Sequence, residues 1–196
     1  MSDKETKRNL TLRYSLRGAL GFGAGGLLVA LVEWFVFSKP YEEMMPVHYI
    51  LVAYFLSGAI GAMVLTWGLE PVFRGAAGFG FGFVVAAVFV FFTMISLQGG
   101  GKPDYGWGAA GCGIGFALGG GIGGFSIRRE LSIVGGLAFG VAGAMWGLMV
   151  FWLEGQEVGT LLSLLLKYLG IVVFIFPYLS GGALFGAALG YMVIED

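Results

Sequence analysis

The sequence predicts an all-α polytopic membrane protein with six transmembrane helices, and three observations lead there. Hydrophobic residues make up 58% of the 196-residue chain and charged residues 12%, about half the charge of an ordinary soluble domain. The apolar residues fall into six blocks, each of about the 20 residues that a helix needs to cross a bilayer. Glycine supplies 37 residues without any Gly-X-Y period. It recurs at helical spacing, as in the small-residue rows by which membrane helices pack.

Residues 1–17 carry charges of both signs and end in no compact cleavage site, so they read as a basic cytoplasmic segment ahead of a retained first span. The six spans are predicted at 18–38, 48–68, 75–97, 106–126, 131–153 and 169–193. Together they form one membrane domain over 18–196, with hairpins at about 18–68, 75–126 and 131–193. The third span contains Phe83 to Phe92, FVVAAVFVFF, expected on the lipid-facing side, or, since it carries alanines, as a face that receives a partner helix. The fourth is the weakest by hydropathy: nine of the seventeen residues from Gly108 to Gly124 are glycine. In water each would cost a helix about 1 kcal/mol relative to alanine. In lipid the backbone must satisfy itself, so the helix is retained. Gly111, Gly115, Gly119 and Gly123 then share one face, and Gly113, Ala117 and Gly121 form a second row.

Small residues four apart also mark the other spans: Gly21 and Gly25, Ser57 and Gly61, Gly78 and Gly82, Gly136 and Gly140, and Gly182, Gly186 and Gly190. Each row predicts a seam of close helix packing. The connections are short. The longest, Glu154 to Lys167, contains LLSLLLK, expected to lie in the membrane interface before the last span.

Basic residues divide unevenly. Lys4, Lys7, Arg8, Arg13, Arg17, Arg74, Arg128 and Arg129 fall on one side, and Lys39, Lys102 and Lys167 on the other. The positive-inside rule places both termini in the cytoplasm, in a bacterial-type plasma membrane. An internal repeat runs through the chain. Arg17 opens RGALGFGAGGLL and Arg74 opens RGAAGFGFGFVV, with seven of twelve positions identical, and Gly135 to Gly143 echoes the pattern. Because each unit holds two spans, the predicted repeats are parallel, about an axis along the membrane normal.

Residues able to carry chemistry are few. Glu33 near the outer end of the first span and Lys167 at the outer start of the sixth form a candidate ion pair, if first and last spans meet. Pro177 in the sixth span removes a hydrogen-bond donor from the carbonyl of Val173. Val173, Pro177, Tyr178 and Ser180 thus form a candidate kink or permeation site. Cys112 has no histidine or second cysteine at ligand spacing, and His48 stands alone at the mouth of the second span. No cofactor or metal site and no catalytic set can be assembled. The formal charge of −1 gives no reason to expect a nucleic-acid partner.

Leu179 to Gly186, LSGGALFG, superficially resembles the Gly-x-Ser-Gly stretch of rhomboid intramembrane proteases. That chemistry needs a histidine on a later helix, and none follows Ser180. The expectation is therefore a non-enzymatic structural or assembly subunit, or a self-associating module. Its partners would be the bilayer and either copies of itself or other membrane subunits. The alternative is a pore or uncoupled transporter for a small solute or ion.

Overall fold

The computed structural model describes residues 3–37, 47–97, 105–154 and 160–192, with side-chain surroundings for most of 5–32, 48–93, 105–150 and 173–192. These residues form six helices: α1 (Asp3–Phe37), α2 (Val47–Leu65), α3 (Val72–Leu97), α4 (Tyr105–Ile127), α5 (Leu131–Glu154) and α6 (Thr160–Met192). All six are long and apolar enough to cross a membrane, compatible with an integral membrane protein.

Two helices overrun the predicted spans. α1 starts at Asp3 instead of residue 18, and at 35 residues it is roughly 52 Å long, well beyond a hydrocarbon core of about 30 Å. Its first turns are held from the side. Gly190 on α6 leaves room for the backbone of Leu10 and Thr11, and Gly186 leaves room for that of Tyr14. Tyr14 is accordingly buried. α6 starts at Thr160, so LLSLLLK belongs to one continuous helix. Its leucines are good helix formers and no breaker separates them from the span.

The α2–α3 link is tight. Thr66 donates its amide and its hydroxyl to the carbonyl of Ala62, at 2.8 and 2.7 Å. Gly68 then adopts φ of 89°, which only glycine enters freely. Arg17 reaches across from α1 and donates to the carbonyl of Trp67 at 3.1 Å. Between α4 and α5 the chain turns through Arg128–Glu130, with Leu131 donating back to the carbonyl of Arg128 at 3.1 Å. Such links make consecutive helices antiparallel neighbours.

Each helix packs on its neighbours in sequence, and α6 returns to α1, so the six close into a ring. Backbones meet directly in several seams. Gly18 and Gly182 each lie against the other's carbonyl between α1 and α6. Gly82 and Gly119 do the same between α3 and α4, as do Gly120 and Gly135 between α4 and α5. In the α1–α2 seam, Gly21 faces the carbonyl of Gly61 and Gly25 faces Ser57; in the α2–α3 seam, Gly58 faces the carbonyl of Phe79.

The outer surface is apolar, with Leu20, Leu27, Val52, Phe81, Phe92, Ile114, Leu118, Leu137, Val141 and Leu184 exposed. The Phe83–Phe92 run does not lie wholly on that surface. Val88, Phe89, Phe91 and Phe92 are exposed, but Phe83, Ala86, Ala87 and Val90 are buried. A helix of 3.6 residues per turn must turn part of any ten-residue run inward.

Candidate functional site

The interior of the ring is built from aromatic side chains, at least one from every helix. Phe22 comes from α1, Tyr54 from α2, Phe79 and Phe83 from α3, Phe116 from α4, Phe139 and Trp146 from α5, and Tyr178 and Phe185 from α6. None is more than 2% exposed. Glycines make room for them: the ring of Phe22 sits over Gly61, that of Phe79 over Gly123 and that of Phe139 over Gly181.

The first layer is nearly a triangle. Phe22 lies 5.0 Å from Phe79 and 5.0 Å from Phe139, and Phe79 lies 5.7 Å from Phe139, between ring centroids. All three contacts are edge-to-face, at 60°, 66° and 60°. Phe185 adds a ring 5.2 Å from Phe79. Phe83 joins this layer to the next, at 5.3 Å from Phe139, 6.0 Å from Phe116 and 5.5 Å from Tyr178. Tyr178 in turn lies 5.5 Å from Phe116 and 6.3 Å from Tyr54. Pairs with this geometry add about 0.5–1.5 kcal/mol each beyond their burial.

The candidate kink on α6 falls inside this packing. Val173, Pro177 and Tyr178 are buried, and α6 remains helical through the proline. Ser180 donates its hydroxyl to the carbonyl of Phe176 at 2.7 Å, so its polar group is satisfied within its own helix. Tyr178 belongs to the aromatic interior described above. The other candidate site, Glu33 with Lys167, has both side chains outside the described residues. No family model, curated protein or solved structure matches this chain.

The glycines singled out by spacing divide by neighbour. Gly111, Gly115, Gly119 and Gly123 all face α3, opposite Thr93, Phe89, Gly82 and Phe79 in turn. On the other flank of α4, Gly113 and Gly121 face α5, and from α5 Gly136 and Gly140 meet Ala117. Gly78 accommodates Ser126. Few polar side chains are buried among the described residues. Thr93 and Ser126 bond back to their own helix, to Phe89 at 2.7 Å and Gly123 at 2.6 Å. Ser132 crosses from α5 to the carbonyl of Gly121 at 3.0 Å. The Ser57 hydroxyl is buried and has no hydrogen-bond partner among the described residues. Cys112 is fully buried and packs beside Gly147, while His48 is exposed and lies 4.4 Å from the Tyr49 ring.

Sequence reasoning missed the aromatic interior. Phenylalanine in lipid-length blocks reads as lipid-facing by hydropathy alone. The available signal was positional: Phe22 and Phe79 occupy the same place in RGALGF and RGAAGF, and Phe139 occupies it in GGLAFG.

Proposed function

We propose that this chain is a non-enzymatic structural or assembly subunit of a membrane complex, associating with itself or with other membrane subunits. The aromatic filling of the ring carries this reading. A permeation path needs a route that water or solute can wet. Here the interior is occupied by Phe22, Phe79, Phe83, Phe116, Phe139 and Tyr178 in mutual contact. Interiors packed in this way are stiff and resist a change of even one methylene, which suits a scaffold better than a gate.

The same reading places the arginine-bearing ends and both termini in the cytoplasm of a bacterial-type plasma membrane, from the basic-residue asymmetry. The small-residue seams act as a glycine zipper. They hold the ring together where lipid supplies no hydrophobic drive between helices. We also propose that the three hairpins are parallel pseudo-repeats. The near-equilateral contact of Phe22, Phe79 and Phe139 supports this, since three equivalent residues about a threefold axis must lie equidistant.

The deciding experiment has two readouts on the purified full-length chain. In mild detergent, mass measurement is expected to find a self-associated species or a stable companion chain. In sealed phosphatidylcholine vesicles the chain is expected to release trapped small solutes no faster than protein-free vesicles do. A lone monomer that releases solute would overturn the proposal in favour of the pore.

A further inference from the structure

Among the described residues, α1 has the longest stretch able to cross a membrane. It runs over Lys7–Val32, 26 residues, against 18 to 23 in the other five helices. Such a stretch is roughly 39 Å long. That exceeds a hydrocarbon core of about 30 Å and comes close to the roughly 40–45 Å of a bilayer with its headgroups. The excess lies at the start of the helix. Arg17 donates to the carbonyl of Trp67, in the link just past the end of α2. The turns before Arg17 therefore continue beyond α2, alongside the last turns of α6.

These turns have two flanks. One carries Leu10, Thr11 and Tyr14, which meet Gly186 and Gly190 of α6. The other carries Leu12, Leu16 and Leu20, spaced four apart and 69%, 58% and 60% exposed. Leu16 is next to Arg17, and Leu12 stands about 6 Å further out. That distance matches the roughly 5–7 Å that headgroups add on each side of the core. Arg8 lies one turn before Leu12 on the same face and Arg13 lies beside it. Both are exposed, as are Glu5 and Asn9 at the outer end.

A second copy docked through this face would set Arg8 and Arg13 against their own counterparts. Lipid phosphates complement them instead, because the planar fork of a guanidinium matches phosphate oxygens. The long arginine stem lets leucines sink while the charge stays at headgroup level. Leucine along one face with arginine at its edge is the pattern of helices seated in a membrane interface.

We infer that Leu12, Leu16 and Leu20 rest on phospholipid at the arginine-bearing surface of the membrane, with Arg8 and Arg13 on lipid phosphates. The first turns of α1 thus stand within the headgroup layer and not free in the water beyond it. This holds whichever way the chain is oriented.

The test uses the full-length chain, with Cys112→Ser as background, in vesicles of phosphatidylcholine and phosphatidylglycerol. A nitroxide label is placed at Glu5→Cys, Leu12→Cys or Leu16→Cys, all exposed positions. Electron paramagnetic resonance reads its collisions with oxygen, which concentrates in lipid, and with a water-soluble nickel chelate. Labels at 12 and 16 should favour oxygen over the chelate several-fold more than the label at 5 does. Arg8→Gln with Arg13→Gln should raise chelate collisions at position 12 several-fold, whereas Arg129→Gln in the α4–α5 turn leaves them unchanged. The inference is overturned if the chelate reaches positions 12 and 16 as freely as position 5, which puts the face in water. It is overturned equally if neither reagent reaches them, which puts a protein there. Unchanged collisions in the double arginine variant would remove the phosphate contacts.

Discussion

A methyl group added at Gly120 would run into the carbonyl of Gly135, whereas one added at Gly121 finds nothing nearer than the Ser132 carbonyl at 3.5 Å. The two neighbours in sequence should therefore answer oppositely to the same change. Gly120→Ala is expected to lower stability by about 1–3 kcal/mol, as overpacking does. Gly121→Ala should be neutral, or stabilising by up to about 1 kcal/mol through helix propensity. Unfolding in mixed detergent, followed by tryptophan fluorescence, would measure both. Phe139→Ala should lose roughly 3–5 kcal/mol by the same assay, because its ring touches those of Phe22, Phe79, Phe83 and Phe185. Ser57→Ala should be nearly silent, since the hydroxyl it removes is buried without a partner among the described residues.

At the scale of the element, the α2–α3 link is the clearest dependence of a helix boundary on one residue. Gly68 at φ of 89° should not tolerate a side chain freely. Gly68→Ala is expected to cost about 1–2 kcal/mol, read in the same unfolding assay, with no change in helix content by circular dichroism. Six helices and their order were legible from hydropathy, because lipid permits few other folded forms. The ends of α1 and α6 were not. Hydropathy reports where a helix can enter lipid. It does not report that Leu10, Thr11 and Tyr14 continue the helix along glycines of α6. Leu161 to Leu166 likewise carried no mark separating an interfacial turn from the start of a long helix.

For the molecule as a whole, closure of α6 onto α1 is the organising contact. Thr11 lies within 2.9 Å of where a Gly190 side chain would begin. With Cys112→Ser as background, the pair Thr11→Cys and Gly190→Cys should cross-link on mild oxidation, as a shift in gel mobility within one chain. The pair Phe73→Cys and Gly190→Cys should not. Spacing along one helix could mark Gly111 and Gly113 as opposite flanks of α4. It could not say that one flank meets α3 and the other α5, since that depends on helices far away in sequence. The aromatic interior escaped notice for a related reason: a phenylalanine inside a closed ring and one against acyl chains have the same hydropathy.

That closure also governs biogenesis. The ribosome must synthesise nearly the entire polypeptide before α1 can meet α6, so the first helix waits through the insertion of four others with its Gly18 flank uncovered. During that interval the nascent chain offers the translocon, or any insertase beside it, a narrow strip of bare backbone to hold. Chains released early, before Gly182 emerges, would keep that strip exposed and become substrates for membrane quality control.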